Sequence, residues 1–230
     1  MTDRIENKKP RKKAKIMIVE DHCIFRIGLE ALITQEDDLE VCGYAESATN
    51  AWKEIPVLKP DMLMVDISLK GKNGLDFVKE IHEYDRDLPI LVLSMHDESL
   101  YAERAFHAGA RGYIMKQETS ESVIEAIRSV LEGKIYASEE LTINIMSKLL
   151  GHSKIGSAPP VHTPVHSLSD RELEVFRLLG EGLTTKEIAS RLNLSIKTIG
   201  TYRERIKQKL NLRHSAELVR HAVHWAEVSD

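Results

Sequence analysis

Five short apolar runs alternate with five segments of helical periodicity in the first 133 residues, and this alternation restricts the fold more than any other feature. The first, third and fourth runs are almost entirely apolar, which is typical of parallel strands buried on both faces. The sequence therefore predicts an α/β fold, a (βα)5 doubly wound parallel sheet with helices on both sides. The runs are KIMIVE (15–20), LEVCGYAE (39–46), DMLMVD (61–66), LPILVLS (88–94) and RGYIMK (111–116), and the helical segments are 23–35, 47–58, 74–84, 98–108 and 119–132.

The rest of the chain is predicted to be helical. Ser169 and Thr184 each stand three residues before a Glu, the capping-box pattern that begins a helix. Ser195 is expected to cap a third helix, and a fourth covers about 214–226, so we expect a small all-α domain of four helices.

The connection between the two predicted domains has a different composition. A short amphipathic segment, 138–150, leads into GHSKIGSAPPVHTPVHS at 151–167, where Gly, Ser, Pro and His without periodicity indicate a flexible linker. The predicted organisation is a basic flexible tail at 1–13, an α/β domain at 14–133, a helical segment and linker at 134–166, and a helical domain at 167–230.

Composition excludes several classes of protein. The chain is 42% hydrophobic and 30% charged, as in ordinary globular proteins that build a core. No run approaches the roughly 18 apolar residues of a membrane span, and only the short IMIV run follows the basic N-terminus, so no secretory signal is expected. Cys23 and Cys42 show no metal spacing or disulfide framework, which suits a reducing cytoplasm.

Charge is distributed unevenly along the chain. Residues 1–150 hold 20 Lys or Arg and 27 Asp or Glu, a balance of −7, whereas residues 151–230 hold 12 and 9, a balance of +3. Residues 197–213 alone contain six basic side chains and one acidic side chain. This basic concentration predicts that the second domain binds a polyanion.

Polar residues terminate the predicted strands. Glu20 and Asp21 end the first, Asp66 the third, Ser94 the fourth and Lys116 the fifth. In a doubly wound sheet the carboxyl ends of the strands meet at one edge, so these side chains should lie together. Crowded carboxylates require a cation, and oxygen ligands suit Mg²⁺. A carboxylate is also a nucleophile toward phosphorus, with Lys116 and Ser94 available for the phosphoryl oxygens.

With these residues in place, residues 15–133 resemble the receiver domain of two-component response regulators. Asp66 precedes Gly74 by eight residues and Ser94 precedes Lys116 by 22, both as in that family. Tyr113, three residues before Lys116, matches the aromatic switch position.

The resemblance implies a role for each matching residue. Asp66 would be the phosphoacceptor, and Ser94 and Lys116 would bind the phosphoryl oxygens. The implied Mg²⁺ ligands are Asp66, Asp21, Glu20 through water, and the carbonyl of Ser68. Ser68 and His96 occupy the positions that tune hydrolysis of the aspartyl-phosphate. The sequence departs from the family pattern in having Lys70 where Pro is usual and Ser94 where Thr is commoner.

The third predicted helix of the second domain is amphipathic and basic. Ile199, Tyr202, Ile206 and Leu210 repeat every three or four residues and should face the core. Residues 167–227 resemble the LuxR-type helix-turn-helix, which the stretch from Leu168 to Leu210 matches almost throughout, and the whole arrangement resembles NarL/FixJ-type response regulators. On this resemblance, Thr201 and Glu204 are candidates for base contacts and Lys197, Arg203 and Lys207 for phosphates, with Gly200 allowing close approach of the backbone.

The sequence therefore predicts a cytoplasmic, non-enzymatic transcription regulator. A sensor histidine kinase would phosphorylate Asp66, and the protein would then dimerise and bind double-stranded promoter DNA. A DNA-binding regulator whose receiver works through protein contacts alone is the alternative. A Mg²⁺-dependent phosphohydrolase is a second one, although such enzymes usually carry Asp-x-Asp on the first strand, which Glu20 and Asp21 do not provide.

Overall fold

The computed structural model describes residues 12–69, 72–95, 98–139, 141–143 and 164–229. The first domain alternates strands and helices as the sequence predicts, with ends that differ by one or two residues. Its elements are β1 (Ala14–Val19), α1 (Cys23–Thr34), β2 (Leu39–Ala45), α2 (Ala48–Leu58), β3 (Met62–Asp66), α3 (Gly74–Tyr84), β4 (Ile90–Ser94), α4 (Glu98–His107), β5 (Gly112–Met115) and α5 (Ser120–Leu131).

The five strands form one parallel sheet in the order β2-β1-β3-β4-β5. Side-chain alternation along the central strands supplies two cores: Met17 and Val19 pack on one face, and Ile16 and Ile18 pack on the other. The predicted doubly wound α/β fold is therefore confirmed. The strand order reverses between β1 and β3, which places the crevice of the fold at the carboxyl ends of these two strands.

The second domain is helical. A 3-10 helix, Pro164–Ser167, precedes α6 (Asp170–Gly180), α7 (Thr185–Arg191), α8 (Ile196–Lys209) and α9 (Ser215–Ser229). Both predicted capping boxes are present. The hydroxyls of Ser169 and Thr184 accept hydrogen bonds from the backbone N–H of Glu172 and Glu187, and the carboxylates of these two glutamates accept from the backbone N–H of Ser169 and Thr184 in return. Ser195 caps α8 by accepting from the backbone N–H of Thr198.

The end of the predicted linker is ordered. Val165 within the 3-10 helix and Leu168 just after it are buried in the core of the second domain. Residues 141–143 of the predicted amphipathic segment are helical. Residues 144–150, the tail at 1–11 and two loop positions singled out in the sequence, Lys70 and His96, lie outside the described residues. Within the described part of the chain, no helix is long and apolar enough to cross a membrane.

Candidate functional site

The polar residues at the strand ends converge as the sequence predicts. Glu20 and Asp21 follow β1, Asp66 ends β3, and candidate ligand atoms of all three carboxylates lie within 4.8 Å of one another. Ser94 ends β4, and its carbonyl accepts a 2.7 Å hydrogen bond from the backbone N–H of Lys116. Although these groups are polar, Glu20, Asp66 and Ser94 are at most 1% exposed. We call this cluster of Glu20, Asp21, Asp66 and Lys116 the acid pocket.

A single ammonium contacts two of these carboxylates. Lys116 Nζ lies 2.6 Å from Glu20 Oε2 and 3.1 Å from Asp66 Oδ1. The other oxygen of Asp66, Oδ2, is buried and has no hydrogen-bond partner among the described residues. Burial, and next the charge of Glu20, raise the pKa of Asp66 to about 6, against the opposing effects of Lys116 and a backbone hydrogen bond from Ser68.

The acid pocket therefore carries more negative charge than its own cation balances. Three carboxylates, one with an unpartnered buried oxygen, form the hard oxygen set that Mg²⁺ prefers. The donor set thus fits the divalent cation that the sequence predicts, at the crevice where the strand order reverses.

The loop after Asp66 approaches the strand end closely. A Cβ at Gly74 would lie 2.0 Å from the carbonyl oxygen of Asp66, so only glycine fits this position. The backbone N–H of Gly74 donates to the Ile67 carbonyl over 2.7 Å. Asn73 caps α3 by accepting from the backbone N–H of Leu75. The loop is thereby folded back over the end of β3.

The first turn of α1 adds residues that the sequence reasoning missed. His22 Nδ1 lies 3.1 Å from Glu20 Oε1 and 3.3 Å from Asp21 Oδ1. Arg26, buried behind them, donates from Nη1 to the carbonyl of Glu20 over 3.0 Å. The ring of Phe25 lies under the ammonium of Lys116, with 4.7 Å between Nζ and the ring centroid. The sequence did offer one indication of their role, because these residues directly follow Glu20 and Asp21 at the start of a helix.

Tyr113, the predicted switch residue, is fully buried in β5. Its backbone N–H donates to the carbonyl of Tyr136 over 3.1 Å, so the segment that follows α5 is hydrogen-bonded to β5. Its role as a switch stays a prediction.

The two domains meet at a set of residues that we call the interdomain seam, and most of them contribute polar side chains. They are Asn73, Tyr101 and Arg104 on one side and Leu168, Asp170, Glu174 and Arg177 on the other. Arg104 Nη1 donates to Asp170 Oδ1 over 2.7 Å and to the Leu168 carbonyl over 2.9 Å. Asn73 Nδ2 donates to Glu174 Oε2 over 3.4 Å. The loop that follows Asp66 thus touches the second domain directly.

Partners within the second domain complete the seam. Glu174 Oε2 accepts a 2.7 Å bond from Arg171, which also donates to the carbonyl of Leu192 at the end of α7. Tyr101 and Arg177 interact where water is excluded, and burial raises the pKa of the Tyr101 hydroxyl and lowers that of the Arg177 guanidinium. Contacts that begin beside the phosphoacceptor candidate therefore reach the turn before α8.

The basic helix α8 presents its predicted outer face to solvent in this arrangement. Ile199 and Ile206 are buried, as predicted, while Lys197, Thr201 and Glu204 are exposed. Gly200, Arg203 and Lys207 are half-buried on the same helix.

Several of these outer residues already have partners. Arg203 donates to the hydroxyl of Thr185 at the start of α7, and Lys207 pairs with Glu204 at 2.9 Å. A Cβ at Gly200 would meet nothing within 4 Å, so this position leaves open space on the outer surface. The face is basic, and the described residues of the first domain leave Lys197, Thr201 and Glu204 exposed.

Comparisons with known proteins match two separate parts of the chain. Residues 16–128 match the family described as "Response regulator receiver domain", and residues 166–222 match "Bacterial regulatory proteins, luxR family". The oxygen regulatory proteins NreC of Staphylococcus carnosus and Staphylococcus epidermidis are 34% and 33% identical to the chain over 210 residues, which are 91% of this chain and 96% of each relative.

Solved structures are similar in fold as well. A LuxR-family two-component response regulator from Aurantimonas sp. matches 60% of this chain and 99% of its own at a TM-score of 0.57 and 31% identity. RcsB from Salmonella enterica serovar Typhimurium, solved on the rprA promoter with the phosphomimetic BeF₃⁻, matches 92% of this chain and 99% of its own at a TM-score of 0.61 and 25% identity.

Proposed function

Since the chain belongs to the two-component response regulators that join a receiver domain to a LuxR-type helix-turn-helix, we propose that it regulates transcription in response to phosphorylation of Asp66. The observation that carries this proposal is the acid pocket, in which a buried, unpartnered carboxylate oxygen stands beside two further acids and a lysine. We place the protein in the cytoplasm, where a sensor histidine kinase would present its phosphohistidine.

The proposed reaction is a transfer of the phosphoryl group to Asp66. A carboxylate oxygen of Asp66 attacks phosphorus, the bond from phosphorus to the kinase imidazole breaks, and the leaving nitrogen takes a proton. Lys116 and Ser94 hold the equatorial phosphoryl oxygens. Mg²⁺ held by Glu20, Asp21, Asp66 and the Ser68 carbonyl would offset the charge of the transferring group. A pKa of about 6 leaves Asp66 mostly ionised, and therefore nucleophilic, at neutral pH.

The second domain would bind double-stranded promoter DNA through α8. Its outer face combines hydroxyl and carboxylate groups suited to base edges, on Thr201 and Glu204, with Lys197, Arg203 and Lys207 suited to phosphates. RcsB, the relative described above, was solved on promoter DNA. We therefore assign the same class of ligand to this chain.

The interdomain seam supplies a route by which the two events are coupled. Asn73 belongs to the loop that follows Asp66 and bonds to Glu174, so a change of that loop alters a contact of the second domain. Because the exposed members of the α8 face are not covered, we propose that the seam restrains the orientation of the second domain and hinders pairing of two copies. Phosphorylation would draw in Ser94, reposition Tyr113 and shift the population toward a DNA-binding homodimer.

The test compares Asp66→Asn with Asp87→Asn, a matched change of an exposed loop aspartate. Each full-length protein is incubated with acetyl phosphate and Mg²⁺, and phosphoryl uptake, dimerisation and promoter affinity are measured. We expect uptake and the gain in affinity to be lost only in Asp66→Asn. Equal uptake by both variants would contradict the assignment of Asp66.

The alternative function, DNA binding regulated only by protein contacts at the receiver, makes a different prediction. Asp66→Asn would then leave promoter affinity and its response to the protein's partners unchanged. The buried, excess negative charge of the acid pocket favours the phosphorylation-dependent function, because such a cluster is costly to keep without a chemical use.

A further inference from the structure

The ammonium of Lys116 has three groups around it, and one of them is an aromatic ring. Two are the carboxylates of Glu20 and Asp66 at 2.6 and 3.1 Å, and the third is the face of Phe25, whose centroid is 4.7 Å from Nζ. An ammonium carries three N–H donors, and an aromatic face attracts a cation through its quadrupole. Since Lys116 is only 4% exposed, water takes little part in this arrangement.

The ring of Phe25 is itself held firmly. It is half-buried and packs against the apolar core beneath α1 and α5, which contains Leu29 and Ile114. The next residue, Arg26, is buried and donates to the Glu20 carbonyl and to the carboxylate of Glu46, which directly follows β2. The ring therefore offers Lys116 a fixed surface at the mouth of the acid pocket.

The three partners of Lys116 respond differently to phosphorylation. When a carboxylate oxygen of Asp66 bonds to phosphorus, the negative charge opposite Lys116 moves from the carboxylate to the phosphoryl oxygens. The ammonium must follow that charge while remaining inside the pocket. The face of Phe25 is unchanged by the reaction, so it is a partner that Lys116 keeps in both states.

We propose that Phe25 is a positioning residue for Lys116, whose ring holds the ammonium where it meets the phosphoryl group on Asp66. This inference rests on the proposed function, because it concerns the same phosphoryl-accepting pocket. Phe25 touches neither the phosphoryl group nor the reacting oxygen; it acts through Lys116. Apolar packing at the start of α1 alone would require only a side chain of similar size, whereas the proposal requires an aromatic face.

The test separates size from aromatic character with two variants of the full-length protein. Phe25→Leu keeps an apolar side chain and removes the ring, and Phe25→Tyr keeps the ring. Phe106→Leu, at a half-buried phenylalanine of α4 that packs in the other core, is the matched control. In protein labelled with ¹⁵N-lysine, the ammonium protons of Lys116 report the ring through its ring-current shift, and Lys116→Arg assigns the signal.

We expect an upfield ammonium shift in the wild type, in Phe25→Tyr and in the control, and its loss in Phe25→Leu. Phe25→Leu should also bind the phosphoryl analogue BeF₃⁻ with Mg²⁺ about 3- to 10-fold more weakly, because an ammonium that the ring no longer holds in place must be ordered when the analogue binds. Phe25→Tyr should restore that affinity.

Two results would overturn the inference: an unshifted Lys116 ammonium in the wild type, or equal BeF₃⁻ affinity in Phe25→Leu and the wild type. Failure of the wild type to bind BeF₃⁻ at all would instead remove the proposed function. The ammonium shift, recorded without any ligand, would still decide the ring contact in that case.

Discussion

The acid pocket and the interdomain seam both bury charged side chains, but they balance the charges differently. In the pocket the carboxylates of Glu20 and Asp66 share the ammonium of Lys116, and one oxygen of Asp66 has no hydrogen-bond partner among the described residues. In the seam each acid has its own guanidinium: Asp170 pairs with Arg104, and Glu174 pairs with Arg171.

This difference indicates what each region is suited to do. Buried ions are costly unless pairing and hydrogen bonds offset their lost hydration. In the seam, the ion pairs and hydrogen bonds among its own residues offset the lost hydration, so no further ligand is needed to stabilise that arrangement. The pocket meets that condition only partly, so its stability changes when a proton, a cation or a phosphoryl group alters its charge. The following predictions test whether charge balance, rather than burial alone, separates the two regions.

The largest effect is expected for Lys116→Met. Removing the ammonium leaves the buried acids without their shared cation, which should lower the free energy of unfolding by about 3 kcal/mol at pH 7.5 in EDTA. Saturating Mg²⁺ should recover much of the loss. Urea unfolding is followed by the fluorescence of Trp52, which lies in α2, in a Trp225→Phe background so that only the first domain reports.

Lys134→Met is the control, because Lys134 is well exposed in its pair with Glu132. If both variants lost the same stability, the pocket would not depend on its ammonium. If Mg²⁺ did not raise the free energy of unfolding of Lys116→Met, the acid pocket would not be a cation site.

Asp66→Asn should have the opposite sign. The folded protein binds the Asp66 proton more tightly than the unfolded chain does, because the pKa rises from 3.8 to about 6 on folding. Wild-type stability should therefore fall as pH rises from about 4 to about 6, and the variant, which has no such carboxylate, should gain about 3 kcal/mol at pH 7.5.

The same gain should vanish below about pH 3, where Asp66 is protonated in both the folded and the unfolded wild type. Urea unfolding in EDTA across this pH range measures it, with Asp87→Asn as the exposed control. A stability difference that stays constant with pH would show that Asp66 titrates normally in the folded protein.

The strand-end residues of the pocket could be predicted from the sequence because each belongs to a local pattern. Asp66 ends an apolar run, and the parallel topology brings all such ends to one edge of the sheet. The N-cap of α8 at Ser195 could be predicted equally well, since the capping hydrogen bond joins residues only three positions apart. In both cases the information lies in neighbouring positions or follows from the topology.

The seam and the Phe25 contact carry no comparable signal. Asn73 and Glu174 are 101 positions apart, and nothing local connects them. Phe25 and Tyr101 read as core positions of amphipathic helices, and only the packed structure shows that a cation or a second domain lies against them. The ordered end of the linker was also missed, because the burial of Val165 is a tertiary contact that the composition of the linker does not indicate.

The seam should show a smaller, purely pairwise effect. A double-mutant cycle with Arg104→Gln and Asp170→Asn is expected to give a coupling energy of about 1 kcal/mol, because the pair is mostly shielded from water and 2.7 Å long. Unfolding of the second domain is followed by Trp225 in a Trp52→Phe background. Exchanging the two charges, Arg104→Asp with Asp170→Arg, should recover part of the stability that either exchange alone removes.

A coupling energy near zero would mean that the domains are held by apolar contact around Leu168 rather than by the ion pair. A value comparable to the Lys116→Met effect would remove the distinction between the seam and the pocket.

The smallest coupling energy is expected for the pair of Arg128 and Asp38. This pair is well formed but exposed, so it shows what charge pairing contributes without burial. The guanidinium of Arg128 lies 2.8 Å from Asp38 Oδ1 and also contacts Glu36, and these hydrogen bonds raise its pKa further above the ordinary range. The geometry is as good as that of the Arg104–Asp170 pair, but Arg128 and Asp38 are both more than 40% exposed. Solvent therefore screens the attraction, and the Arg128→Gln and Asp38→Asn cycle should give at most about 0.5 kcal/mol.

Raising the salt concentration from 0.05 to roughly 1 M shortens the Debye length to about 3 Å, which should remove most of this coupling while changing that of Arg104 and Asp170 less. The two cycles, measured under the same conditions, compare pairs of equal chemistry that differ in exposure. If the exposed pair gave the same coupling energy as the seam pair at both salt concentrations, burial would not explain the stability of the seam. The seam and the acid pocket would then differ only in the number of cations available to each carboxylate.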